Sequence, residues 1–368
     1  MSNDPYAAAR NLPTVKLLDR LLDFPSPPGR EQEMAAFLQE YARNLGFPAD
    51  IDAAGNVLVL ASSTAADKSS PLQSFPRDTS GTIIAAHMDE IALVVSHVRE
   101  DGTLKIVRSG GLFPKKMGER MVQILGDNET IEGVLSSGAG HGSDPYASLT
   151  WDDYWVITGL SKKQLTEKGI FAGTPIVPVR SGRGPFLFGD PENPFIAAWT
   201  FDDRMGVVTL LRLLDNLAKS PLTSDTPLLI AFTVHEEGGA HGAKFLNHQL
   251  NPGCFIAVDG CPLTPHTDAN MFDGPAVWAK DGKTNYSHKI LKAFTAAAQT
   301  TNTPIQRVIF ETAFSDASST YYVGGAPQIG TIGHPRENSH GFETAPLQIF
   351  QQVLTVLEEF IRSHLPCR

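Results

Sequence analysis

The sequence predicts an α/β protein whose mostly parallel central sheet is covered by helices on both faces, with a small β-rich unit inserted. Three observations predict this. Charge-free apolar runs such as 82–87 (TIIAAH) and 228–234 (LLIAFTV) have the composition of strands buried on both faces. Such runs alternate with segments whose apolar residues recur at helical spacing, the pattern of a parallel sheet. From residue 91 that alternation gives way to short β-rich pieces split by Asp-Gly, Gly-Gly and Asp-Asn, and it returns after residue 196.

In chain order, residues 14–22 and 31–45 carry helical spacing on either side of a PSPPG turn. Residues 56–61 (NVLVLA) read as a strand. Residues 62–80, rich in Ser, Pro and Asp, read as a mobile surface loop. The β-rich block follows, with a loop-like stretch at 136–150, a short helix at 161–168 and a β-like stretch at 176–189. Val207, Val208, Leu210, Leu211, Leu214 and Leu217 form one helical stripe. Strands are expected at 228–234, 255–259, 308–311 and 327–333, and helices at 240–249, 286–299 and 346–365. The expected division is a discontinuous catalytic unit, 1–98 with 196–368, and an inserted unit, 99–195.

With 368 residues the chain is long enough to bury a core without disulfide or metal staples. Apolar residues make up 42% and charged residues 19%, which fits a globular protein and excludes pervasive disorder. No stretch is long and apolar enough to span a bilayer. Thirty Lys and Arg against 40 Asp and Glu give a formal charge of −10, which argues against nucleic acid and anionic membranes as partners. The three cysteines, Cys254, Cys261 and Cys367, form neither a disulfide framework nor a CxxC site. With no secretory h-region at the N-terminus, a cytoplasmic location is expected and the Asn128 and Asn285 sequons read as chance.

Function enters through where the polar residues fall. His87 and Asp89 end one expected strand. His235, Glu236 and Glu237 end another, Asp259 a third, and His340 follows a fourth. Asp202 and Asp203 precede the helix with the 207–217 stripe. Ligands of open α/β sheets bind at the carboxyl ends of strands, so these residues converge on one edge. Singly, each has a bland reading: a surface Glu pair, a helix N-cap, a turn Asp, a surface His. Jointly they offer imidazoles and carboxylates to divalent cations, and two such cations ~3.5–4 Å apart activate water and polarise a carbonyl. Adjacent glutamates suit divided labour, one binding metal and one moving protons, because side chains alternate at a strand end. For His235 the reading is a buried histidine bonded to backbone, and for Arg204 a pairing with a site carboxylate or with its helix surface. The residues by themselves imply metal-assisted hydrolysis of a carbonyl compound. Phosphate loops, dinucleotide fingerprints, a GxSxG elbow and HExxH are all missing.

The segments HMDEIALVV, FDDRMGVVTLL, FTVHEEGGAHGAK, AVDG and NSHGFE resemble, in order and spacing, the tetrahedral dinuclear-metal aminopeptidases, which include glutamyl aminopeptidases and cellulase-like peptidases. The resemblance runs from about residue 12 to 364. It implies a three-layer metallo-exopeptidase core with a barrel-like insert used for dimerisation or as a lid. It also implies two divalent metal ions per subunit, zinc or cobalt. His87 and Asp259 would hold one, Glu237 and His340 the other, and Asp202 would bridge. Glu236 would be the general base and Asp89 would orient His87. The implied substrates are peptides, and the implied assembly is a homo-oligomer, commonly of twelve subunits. Departures lie at His235, where Gln is frequent, at Gly239 and His241, and in the 62–80 and 136–150 loops. Rival readings are an N-acyl amino acid deacylase, a metal-independent glycosidase with paired carboxylates, and a non-catalytic assembly protein.

Overall fold

A computed structural model of the chain describes residues 4–62, 70–139, 148–222 and 226–365. Cys367 and parts of the 62–80 and 136–150 loops lie outside the described residues.

The central sheet has eight strands in the order Ala49–Ile51, Val57–Ser62, Leu228–Thr233, Thr82–His87, Cys254–Pro262, Gln328–Arg336, Ala276–Lys280, Gln306–Ile309. The middle four, from Leu228–Thr233 to Gln328–Arg336, are mutually parallel. They are the apolar runs of the sequence, and they are buried because both faces are covered. Side chains alternate between the two faces. Ile84 and Ala86 pack toward the helices Pro13–Leu21, Phe201–Lys219 and Gln348–His364. Ile83 and Ala85 pack toward His241–Leu250 and Asp316–Tyr322. The expected three-layer α/β class is borne out.

Several elements depart from expectation. Residues 70–80 are not all loop: Pro71–Ser74 is a helical turn, and Phe75 is buried behind it. The sheet edge beyond Gln328–Arg336 is antiparallel at Ala276–Lys280, a strand not anticipated.

The β-rich block closes into a six-stranded barrel, Ala92–Val98, Leu104–Ser109, Trp155–Ile157, Thr130–Ser136, Arg120–Leu125, Pro175–Pro178, around its own apolar core. Its first strand begins before residue 99, since Ala92 follows the His87 strand after only a short loop. Phe186–Phe188 and Phe195–Trp199 belong instead to a three-stranded antiparallel sheet with Phe342–Pro346, which returns the chain to the α/β body. Among the described residues no helix is long and apolar enough to cross a membrane.

Candidate active site

The carboxyl ends of the parallel strands share one edge, and the polar residues gather there. His87 closes its strand and is buried. Its Nδ1 lies 3.2 Å from the backbone carbonyl oxygen of Asp89 and 3.5 Å from Asp89 Oδ1. Its Nε2 faces Asp202 Oδ1 at 3.1 Å. Asp89 also accepts hydrogen bonds from two amides, Glu236 N on Oδ1 (2.9 Å) and Glu237 N on Oδ2 (3.0 Å). It therefore ties the His87 strand to the turn that carries both glutamates.

Asp202 and Asp203 divide two roles. The helix Phe201–Lys219 opens with non-helical dihedrals at both residues, and the peptide between them is cis. Asp203 caps: its Oδ1 accepts from Gly206 N at 2.9 Å. Asp202 turns into the cluster. Its Oδ2 lies 2.5 Å from Arg336 Nη2 and 3.3 Å from His340 Nε2. The N-cap reading thus holds for one aspartate only.

The glutamates do not sit on a strand end. The strand stops at Thr233, His235 takes a positive φ of 55°, and the chain turns through Glu236 and Glu237. Backbone turning, rather than strand alternation, separates their side chains. Glu237 Oε1 lies 3.5 Å from His340 Nε2. Oε1 of Glu236 and Oε1 of Glu237 are buried with no hydrogen-bond partner. Asp259 also differs from expectation, lying within the strand Cys254–Pro262, which pairs with Gln328–Arg336 past it. Its Oδ1 accepts from Gly260 N at 2.5 Å. His340 stands in the loop after Gln328–Arg336 with φ 59°, and its Nδ1 is 3.0 Å from the Gly111 carbonyl oxygen.

These side chains form two groups whose candidate ligand atoms lie within 4.8 Å of one another. One is His87, Asp202 and Asp259, the other Asp202, Glu237 and His340. Asp202 is common to both. All seven predicted residues meet at this edge.

The electrostatics test whether cations fit. Burial pushes the carboxyls of Glu237 and Asp259 up to about 7 each, and pushes Glu236 and Asp203 well above the usual carboxylate range. Neighbouring carboxylates add to the effect. Asp202 is the exception: burial opposes its charge, but Arg336, His340 and His87 hold it well below the usual range. Burial also opposes charge on His340, yet Glu237 and Asp202 raise it to about 10. A crowd of buried carboxylates that resist ionising for want of balancing charge, three of them (Asp203, Glu236 and Glu237) with orphaned oxygens, is the environment a cation relieves. Imidazole and carboxylate donors suit zinc, cobalt and similar divalent ions. The residues present fit such metals.

Several participants were not singled out from sequence. Arg336 Nε donates to Glu343 Oε1 (2.7 Å), and Glu343 Oε2 accepts from Asp202 N (2.9 Å), so the pair grips Asp202 by side chain and backbone. A Cβ at Gly260 would fall 0.9 Å from Arg336 Nη1, so the guanidinium requires that glycine. The available signal was position: Arg336 and Glu343 flank His340 within four residues. Asp316 accepts from Thr233 Oγ1 at 2.5 Å, and its other oxygen is orphaned beside Glu236; a lone Asp opening a helix reads as a cap. Arg204 is fully buried, donating to the Met88 carbonyl (2.8 Å) and to Ser26 Oγ (2.6 Å). With Arg183 and Glu90 it braces the loop after His87. His235 is half-exposed, 3.8 Å from Glu31 Oε1 and edge-on to His241, rather than buried against backbone.

The cluster floors a cavity of about 370 Å³. Apart from the cluster and Arg336, its lining is uncharged and includes Phe113, Pro262, Trp278, Ala313 and Phe314.

A profile of the M42 glutamyl aminopeptidase family matches residues 74–355. The glutamyl aminopeptidase of Lactococcus lactis is 28% identical over 68% of this chain and 68% of its own length. An aminopeptidase from the archaeon Desulfurococcus kamchatkensis superimposes with a TM-score of 0.81 at 24% identity, covering 95% of this chain and 94% of that one. A TET peptidase from Pyrococcus horikoshii, described as assembling into a tetrahedron or a large octahedral shell, gives 0.81 at 22% identity over 96% of this chain and 100% of that one.

Proposed function

The chain belongs to the M42 glutamyl aminopeptidase family and is a metal-dependent aminopeptidase, and we propose that it works through two divalent cations sharing Asp202. The carrying observation is that one buried carboxylate is common to two candidate ligand groups beside an unpartnered glutamate. In this reading His87 and Asp259 hold one cation, Glu237 and His340 hold the other, and zinc or cobalt is the natural occupant. The cations, when bound, polarise the scissile carbonyl and acidify water.

The chain's own residues do the rest. Glu236 accepts a proton from the attacking water as the new C–O bond forms. As the C–N bond breaks, Glu236 returns that proton to the leaving amine. Asp89 holds the Glu236 and Glu237 amides and the His87 ring, so base and ligands keep register. The free N-terminus of a peptide enters the cavity. Beyond the cluster and Arg336 its wall is uncharged and largely apolar, which suits an apolar first side chain.

We further propose that the inserted unit mediates self-association. Val134 lies between Met121 and Ile157 on neighbouring barrel strands, and all three are exposed, an apolar stripe of the kind that marks interfaces. A cytoplasmic location agrees with the buried Cys254 and Cys261, which form no disulfide among the described residues.

The test is hydrolysis of matched free and N-acetylated aminoacyl anilides, after chelation and after return of zinc or cobalt. Metal-restored cleavage of the free-amine substrates alone is expected, fastest for leucyl or phenylalanyl and slow for glutamyl and lysyl. Cleavage of acetylated substrates alone would make the protein a deacylase. Activity indifferent to chelation would remove the metals from the mechanism.

A further inference from the structure

The two candidate ligand histidines are oriented by different parts of the chain. His87 Nδ1 rests against Asp89, two residues along its own segment. His340 Nδ1 rests against the carbonyl oxygen of Gly111, 3.0 Å away and far off in sequence. Gly111 lies in the segment between the barrel strands Leu104–Ser109 and Arg120–Leu125. The fit is tight: a Cβ at Gly111 would stand 2.4 Å from His340 Nδ1 and 2.5 Å from Cε1. The preceding Gly110 has φ 79°, and a Cβ there would lie 3.0 Å from Glu237 Oε2. Both glycines thus let barrel backbone close directly onto the two side chains that complete one ligand group.

We propose that the barrel is a structural component of that ligand group: the Gly111 carbonyl, by accepting from Nδ1–H, fixes His340 in the tautomer and orientation that present Nε2 beside Asp202 and Glu237. An acceptor on the far ring nitrogen does this for metal-binding histidines generally. Gly111 is therefore a positioning residue acting through His340. The inference rests on the two-cation reading above.

The test is a Zn²⁺ titration of the metal-depleted full chain by calorimetry. The wild type is expected to take up two Zn²⁺ per chain, and fewer would remove the two-cation reading and this inference with it. Gly111→Ala is expected to keep one at wild-type affinity and weaken the other ~10–100-fold, the usual effect of disturbing such a partner. Gly133→Ala, whose Cβ would press 2.9 Å from the Ile157 carbonyl oxygen within the barrel, should lower the melting temperature but retain both ions. In a His340→Ala background, Gly111→Ala should change Zn²⁺ binding no further. Unchanged affinities in Gly111→Ala, equal weakening of both ions, or an added loss in the His340→Ala background would each overturn the proposal. A measurement needing no change at Gly111 is ¹⁵N NMR of the Zn²⁺-loaded wild type, with His340 assigned by its disappearance in His340→Ala. Nδ1–H is expected, and Nε2–H would overturn the proposal.

Discussion

The His87–Asp259 side of the cluster and the Glu237–His340 side offer the same donor types but are built differently. His87 and Asp259 stand on neighbouring parallel strands, joined by a ladder that includes Ala257 opposite Ala85, so sheet geometry sets their separation. Glu237 and His340 stand on a turn and a loop, and His340 has positive φ. The two histidines differ in exposure: the His87 side chain is 3% exposed and that of His340 30%. One side comes with the sheet. The other is assembled when loops and barrel meet, and Asp202 joins them.

The largest effect is expected where the two sides meet. Asp202→Ala should strip metal from both groups and reduce hydrolysis to the level of chelated protein; elemental analysis that found one ion still firmly held would break the shared-ligand account. Glu236→Gln should separate binding from chemistry. Both ions should remain while kcat falls ~10²–10⁴-fold, as loss of a general base typically costs. Asp89→Asn acts on both sides, because Asp89 holds the His87 ring and the Glu237 amide. A ~10–100-fold loss of affinity is expected at both ions, and calorimetry showing one ion untouched would mean that Asp89 serves one side alone. Ile157→Lys leaves both sides untouched and should shrink the particle seen by light scattering without changing metal content. The smallest effect belongs to Arg30→Ala. Arg30 pairs with Asp127 between the α/β body and the barrel, but both are well exposed, so chemical unfolding should shift by no more than about 1 kcal/mol. A larger shift would move the anchoring of the barrel from the Gly110–Gly111 contact to surface charge.

The same division explains what could be read from sequence. The sheet was legible because TIIAAH and LLIAFT are short apolar runs, the second flanked by helical spacing. His87 and Asp259 were legible with it through their joint placement at the ends of apolar runs, since each alone also reads as an ordinary turn or surface residue. Closure of the barrel was expected from the family resemblance and is borne out, but the residues alone did not give it, because it depends on Pro175–Pro178 finding Ala92–Val98, a pairing that alternation within either segment does not encode. Nor did they give the Glu236–Glu237 geometry, which comes from a positive φ at His235 that no residue type announces. The buried charge pairs escaped for a further reason. Arg183 with Glu90, and Arg336 with Asp202, join segments far apart, and each charge taken alone looks like surface.

The central claim is that two cations share Asp202. Anomalous diffraction at the zinc edge, from crystals of the full chain grown with zinc, tests it most directly. Two peaks are predicted, one between His87 and Asp259 and one between Glu237 and His340, both contacting Asp202. A single peak, or peaks that leave Asp202 untouched, would contradict the account.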